Sequence, residues 1–342
     1  YQFIWSNHHI LFDGWSRFVL FKEVLELYQA LNNGNHIYLK PSFPYRKYIA
    51  WLRQQDLSQA EAFWRQALQG VTAPTPLMVD RLISNISSTE EHSEQQIELS
   101  LANTDRLKSL ARQYQLTLNT LVQGAWALLL SRYSGEDDVV FGANTSGRPV
   151  DLPEVESAVG LFVNSLPVRV QVNATDSPIP WLKKLQGKQA EARQYEYSPL
   201  VQVQGWSELP KSVPLFNSLI AFENYPVDAS LRQKNKSLEI CDFTFVNRTN
   251  YPLSVIVAPN AQLLLKIIYD RRYFDTATIT RMLGHLQTLL VGMVANPQQR
   301  LQDLPLLTET ERHLCLVTWN HTQTEYSLNL CLHQLIEAQV EK

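Results

Sequence analysis

From residue 95 onward the chain strings together β-biased and helical stretches in an order that few folds accept. "QQIELS" (95–100) reads as a strand. Two helical segments follow, "TDRLKSLARQYQL" (104–116) and "TLNTLVQGAWALLLSRYSG" (117–135). "DDVVFGANTSGRP" (137–149) is a strand and loop, and "AVGLFVNSLPVRVQV" (158–172) is strongly β-biased. After a helix in "WLKKLQGKQAEARQYEY" (181–197) come strands in "LFNSLIAFENYP" (215–226), "PLSVIVAP" (252–259) and "AQLLLKIIYD" (261–270). A helix over 275–297 closes the series. A doubly wound parallel sheet needs a helix between successive strands, and here strands follow one another directly. The order therefore predicts an α+β sandwich.

The first part of the chain is different. "YQFIWSN" (1–7) is aromatic and β-branched and predicts a strand. "SRFVLFKEVLELYQALNNG" (16–34) places Val19, Leu20, Val24, Leu25, Tyr28 and Leu31 at helical spacing, with Ser16 as the expected N-cap and Gly34 as the stop. "YRKYIAWLRQQDLSQAEAFWRQALQG" (45–70) predicts one or two further helices. Residues 71–94 then turn to Pro, Ser, Thr and Glu, the composition of a linker. At 342 residues, the chain has room for about two domains.

Bulk properties remove several classes of function. A formal charge of −3 without a Lys/Arg stripe gives no footprint for nucleic acid. Apolar runs such as "LVQGAWALLL" are far short of the ~20 residues of a membrane span. Cys241, Cys315 and Cys331 are odd in number and have no CxxC spacing. They argue against a disulfide framework or thiolate metal site and point to a reducing, cytoplasmic compartment. The start in mid-strand and the stop in mid-helix read as a piece cut from a longer chain.

The residues with most chemical promise lie in "SNHHILFDGWS" (6–16). Histidine titrates near neutrality and so can serve as a general base. If the pair ends a strand, His8 and His9 point to opposite faces: one faces a cleft and the other is a buried, hydrogen-bonded support. Asp13 can orient an imidazole, or pair with a cation and pin the loop. Gly14 leaves room for an approaching substrate arm. A structural or surface role for the pair remains open. For a metal, His9 and Asp13 lack a third ligand at motif spacing. A nucleophilic triad lacks a GxSxG elbow or a suitably placed cysteine.

The stretch "HHILFDGWS" resembles the HHxxxDG core of condensation domains from non-ribosomal peptide synthetases. Tyr48-Ile49-Ala50-Trp51 is similar to that family's YxxYAxW-type helix. Residues 159–169, "VGLFVNSLPVR", resemble its GxFVNTxxxR segment, and "QYEYSPL" (194–200) is a looser version of its HQDYPFE segment. "LFNSLIAFENYP" and "NYPLS" (250–254) fit the same pattern, and "LHQLIEAQVEK" (332–342) is similar to the start of an adenylation domain. The resemblance implies two chloramphenicol-acetyltransferase-like α/β sandwich lobes forming a pseudo-dimer, the first incomplete. It divides the chain into a remnant of the N-terminal lobe (1–72), an inter-lobe linker (73–95), the C-terminal lobe (96–303), and a connector with the start of an adenylation domain (304–342).

The implied activity is amide formation between a donor acyl thioester and the α-amine of an acceptor aminoacyl thioester. Both ride on phosphopantetheine arms of carrier proteins, so the implied partners are two carrier proteins and the adjacent adenylation domain. No metal and no directly bound cofactor is implied. His9 is the implied catalytic residue, with His8, Asp13 and Gly14 in support. Asn164, Arg169 and Arg148 are tunnel or inter-lobe candidates, Arg148 equally a surface or hinge residue. Trp51, Trp206 and Tyr225 read as core or interface aromatics. The arginine expected to pair with Asp13 belongs to motifs upstream of residue 1, and the chain by itself is expected to be inactive. An epimerization domain and a degenerate docking domain are the alternatives. The "GLFVNSLPV" segment and the adenylation-like tail argue against the first, and the intact His9, Asp13 and Gly14 argue against the second.

Overall fold

The computed structural model describes residues 3–78, 80, 92–224, 249–323 and 330–341. Tyr225 and Cys241 lie outside the described residues. The first helices are α1 (Gly14–Asn32), α2 (Tyr45–Leu52) and α3 (Leu57–Ala67). Asp56 caps α3 by accepting the Ser58 N–H, which explains why the long helical pattern over 45–70 breaks into two. Residues 3–7 form no strand. A strand needs a hydrogen-bonding neighbour, and none of the described strands borders this segment.

Six strands make one mixed sheet: β1 (His92–Glu98), β2 (Asp138–Thr145), β3 (Asn164–Gln171), β4 (Ser218–Phe222), β5 (Leu253–Pro259) and β6 (Leu263–Asp270). Their spatial order is β1-β6-β5-β4-β2-β3, with β4 parallel to β2 and β5 and the remaining pairs antiparallel. Alternation in the sequence sets the faces. Leu253, Val255 and Val257 of β5 and Leu263, Leu265, Ile267 and Tyr269 of β6 enter one large core. That core is closed by α4 (Leu101–Tyr114), α5 (Leu118–Ser134), α6 (Pro178–Arg193) and α8 (Thr276–Ala295). Every residue of α5 from Thr120 to Ser131 is buried, as its unbroken apolar run requires. Val140 points the other way, joining Trp64 of α3, Leu68 at its C-cap and Val203 of α7 (Leu200–Trp206) in a second core. The α+β sandwich expected from the element order is present as a single mixed sheet covered by helices.

Strand β1 begins at His92, inside the stretch expected to be linker, because residues 92–94 pair with Ile268–Asp270 of β6. Residues 71–78 also pack against the sheet. Val71 is buried, and the Thr75 hydroxyl accepts the Val140 N–H at 2.7 Å. Toward the end of the chain, Arg132 of α5 donates to the carbonyls of Leu301 and Leu304 at 2.7 and 2.8 Å. Two short helices follow, α9 (Glu309–His313) and α10 (Leu332–Val340), the latter exposed. No helix among the described residues is long and apolar enough to cross a membrane.

Candidate functional site

The histidine pair occupies a single 3₁₀ turn, His9–Leu11, just ahead of α1. The turn bends the backbone at His8, so the alternating-face argument for a strand end does not apply. His8 caps the turn through Nδ1, which accepts the Ile10 N–H at 3.1 Å. That bond assigns the proton of neutral His8 to Nε2. His8 is exposed, so it supports the turn through its hydrogen bond and is not the buried neighbour expected from the sequence. His9 is also exposed, and its ring makes no hydrogen bond among the described residues. It is free to meet a ligand.

Two residues past the turn the environment changes completely. Asp13 is 3% exposed and Ser16 fully buried. Asp13, not Ser16, is the N-cap of α1, with Oδ1 accepting the Ser16 N–H at 2.9 Å. Gly14 is the first residue of the helix. The second carboxylate oxygen of Asp13 accepts the Phe162 N–H at 3.1 Å, and the Asp13 N–H donates to the Gly160 carbonyl at 3.1 Å. Ser16 Oγ lies 2.8 Å from Asp13 Oδ1 and 2.9 Å from the Gly160 carbonyl, and accepts the Gly160 N–H. The head of α1 is thereby fastened to the loop that enters β3.

The cation for Asp13 is Arg148. Its Nη2 stands 3.1 Å from Asp13 Oδ1 and 3.0 Å from Ser16 Oγ, and the two charged side chains are only 4% and 5% exposed. This corrects two expectations: the partner is not upstream of residue 1, and Arg148 is not at the surface. It lies in the loop after β2, and the β2–β3 pairing brings that loop beside Gly160. Arg148 also donates to the carbonyls of Val155 and Ala158, and its guanidinium lies 4.0 Å over the Phe162 ring. Burial pushes the guanidinium down, and the Asp13 charge opposes that shift. With neighbours of this kind an arginine stays charged and reads as a fixed strut.

The α2 helix closes the other side of the loop. Tyr45 donates its hydroxyl to the Leu161 carbonyl at 2.6 Å, and Tyr48 packs on Phe162 with ring centroids 4.5 Å apart. A Cβ at Gly160 would overlap the Tyr45 ring, so only glycine fits between loop and helix. Trp51 stacks with Tyr48 and meets Tyr197 edge-on, while Trp206 joins the α3–α7 core, consistent with packing roles for both tryptophans.

Asn164 and Arg169 are held elsewhere. Asn164 Nδ2 donates to the carbonyls of Glu196 and Ser198 at 2.9 and 2.7 Å, tying the start of β3 to the turn after α6. Arg169 makes a forked pair with Asp138 and donates through Nη1 to the carbonyls of Ala67 and Gln69. It joins the end of α3 to the β2–β3 edge. Removing Asn164 leaves two carbonyls without their donor. Asn164→Ala is therefore expected to cost roughly 1–3 kcal/mol, read as a fall in denaturant midpoint at constant slope.

The condensation-domain profile matches residues 1–316 of this chain. The chain belongs to the condensation-domain family. Condensation domains of peptide synthetases are acyl-transferring, amide-forming enzymes. This domain is 48% identical over all 342 residues to a linear gramicidin synthase of Brevibacillus parabrevis, and spans 7% of that protein. It is 35% identical to bacitracin synthase 3 of Bacillus licheniformis over its whole length, 5% of the relative. Its fold superposes with TM-score 0.78 on a four-domain nonribosomal peptide synthetase crystallised with AMP and glycine, at 19% identity, covering 98% of this chain and 26% of the other. The X-domain from teicoplanin biosynthesis gives TM-score 0.72 at 24% identity, with 88% and 70% covered.

Within this condensation domain, the sequence reading missed Ser16 as a bridge to Gly160 and missed Tyr45 and Tyr48 as walls of the site. Asp13 and Ser16 are both residue types favoured at an N-cap, so composition alone does not choose between them. Nothing local in the sequence announces that Ser16 also reaches a loop 144 residues away.

Proposed function

We propose that this condensation domain, within its longer parent, joins a donor acyl or peptidyl thioester to the α-amine of an acceptor aminoacyl thioester, both presented on the phosphopantetheine arms of carrier-protein domains. The carrying observation is the contrast between His9 and Asp13. An unengaged imidazole stands on an exposed turn, and four residues later the chain is anchored by a buried ion pair. Such anchoring fixes where the imidazole can go without occupying it. The amine attacks the thioester carbon, a C–N bond forms, the C–S bond breaks and the thiol leaves. His9 serves this step by taking the amine proton or by stabilising the charged adduct. Holding two tethered substrates in register is a large contribution of its own. The scaffold supports that role, since Asp13, Ser16 and Arg148 fasten the head of α1, just after the histidine turn, to the loop that enters β3. The carrier domains and the following adenylation domain are the partners of this reading.

The test uses the full-length parent with both carriers loaded with cognate substrates. Intact-mass analysis should find the joined product on the acceptor carrier. No product from cognate substrates would favour a domain that only docks carriers, and epimerised but unjoined substrate would favour the epimerization reading.

A further inference from the structure

Glu196 carries a carboxyl that none of the contacts above uses. It lies in the turn after α6 and is 24% exposed in its side chain. Its backbone carbonyl is held by Asn164. Among the described residues no hydrogen bond reaches the carboxyl, and its nearest cation, Arg193 Nε at 3.9 Å, belongs to a side chain 70% exposed. Burial pushes this carboxyl up to about 7, with Arg193 pulling weakly the other way. A carboxylate kept largely from water without a donor is costly, and an arriving cation or proton relieves the cost.

The surroundings connect Glu196 to the site. Its charge acts on Tyr48, which also senses Asp13 and Arg148. Tyr48 is pushed up to about 12, chiefly by burial, and so remains a neutral phenol. The titratable groups nearby are Arg193, Tyr195 and Tyr197 on its own turn, Tyr48 on α2, and Asp56 at the head of α3, whose backbone carbonyl takes the Tyr197 hydroxyl at 3.1 Å. Behind Tyr48 stands the Asp13–Arg148 pair. Glu196 is therefore a half-open acid beside an aromatic wall formed by Tyr48, Trp51 and Tyr197, on the side of the domain where Asn164 opens β3.

We propose that Glu196 receives the α-ammonium of the acceptor aminoacyl thioester and removes one proton from it, releasing a neutral amine for attack. This rests on the amide-forming reading above. One N–H bond of the ammonium breaks and its proton passes to the carboxylate, giving a neutral carboxyl. The freed lone pair forms the C–N bond with the donor carbonyl carbon. When the adduct collapses, the C–S bond breaks, and the second proton shed by nitrogen passes by way of the His9 imidazole to the departing thiolate. An α-ammonium titrates near ~8, so a base near neutrality is matched to this transfer. The aromatic wall favours a cation in the same place.

The experiment compares wild type, Glu196→Gln and Glu196→Asp in the full-length parent with loaded carriers, measuring single-turnover amide formation from acidic to alkaline pH. The wild-type rate should fall as the pH drops through about 7. In Glu196→Gln that pH dependence should disappear and the rate at neutral pH fall by on the order of 10². Glu196→Asp should recover part of both, and melting temperatures should match, because Asn164 holds only the backbone at this position. A Gln variant with the wild-type rate and pH profile would overturn the inference while leaving amide formation standing. A uniform loss at every pH with a lowered melting temperature would also overturn it, by showing a structural role. If wild type forms no amide from cognate substrates, the functional reading fails and this inference with it.

Discussion

Arg148→Ala should destabilise the domain by roughly 3–5 kcal/mol, the cost of leaving a buried charge without its partner. The substitution strands the Asp13 carboxylate at 3% exposure with only neutral donors, the Ser16 and Phe162 N–H groups and the Ser16 hydroxyl. It also removes the donor to the Val155 and Ala158 carbonyls and the guanidinium packed on Phe162. Denaturant unfolding of the parent, with hydrogen exchange at residues 13–17 and 158–162, measures the loss and its location. Arg148→Lys keeps the charge but not the fork, so it should recover only part of the stability. The double variant Asp13→Asn with Arg148→Met should be less destabilised than Arg148→Ala alone, since no charge is left uncompensated. A loss below about 1 kcal/mol for Arg148→Ala would mean that the pair behaves as an exposed one.

Gly147→Ala is the second large effect. Gly147 has φ +60°, a conformation that costs an L-residue about 1–2 kcal/mol. An added Cβ would also overlap the carbonyl oxygen of Phe162, a backbone atom that cannot turn aside. Forced overpacking adds about 1–3 kcal/mol, so the sum is roughly 2–5 kcal/mol. The same clash pushes on the residue whose N–H Asp13 accepts, so the loss should appear at the Asp13–Phe162 contact and not only in global stability. Equal hydrogen-exchange protection at Phe162 in wild type and variant would contradict this. Gly135, also at positive φ but with open space around its absent Cβ, is the control: alanine there should cost only the conformational part.

These two positions show where the sequence is readable and where it is not. The sheet and its helices follow from period-2 and period-3.6 patterning, because burial of Leu253, Val255 and Val257 or of the α5 run depends on local spacing. Segment 1–7 has the same β-bias and forms no strand in residues 3–7, since pairing is a non-local property. The choice between Ser16 and Asp13 as cap is also non-local. Ser16 is drawn inward to Gly160 and Arg148, which leaves the cap to Asp13. Arg148 was visible as a candidate, but its partner lies 135 residues away, and only the β2–β3 pairing brings them together. The HHxxxDG resemblance singles out His9 as a candidate, whereas the capping bond of exposed His8 required the turn geometry.

On the function proposed above, the two histidines divide the work: the exposed imidazole of His9 serves amide formation, while His8 shapes the turn through its capping bond. Single-turnover product formation in the full-length parent with loaded carriers, for wild type, His9→Ala and His8→Ala, separates the two roles. His9→Ala should lose on the order of 10² or more in rate with an unchanged melting temperature, as for loss of a general acid–base group. His8→Ala, which loses one exposed capping bond, should lose far less. Equal rates for His9→Ala and wild type would contradict this division and leave positioning of the two thioesters as the source of the rate.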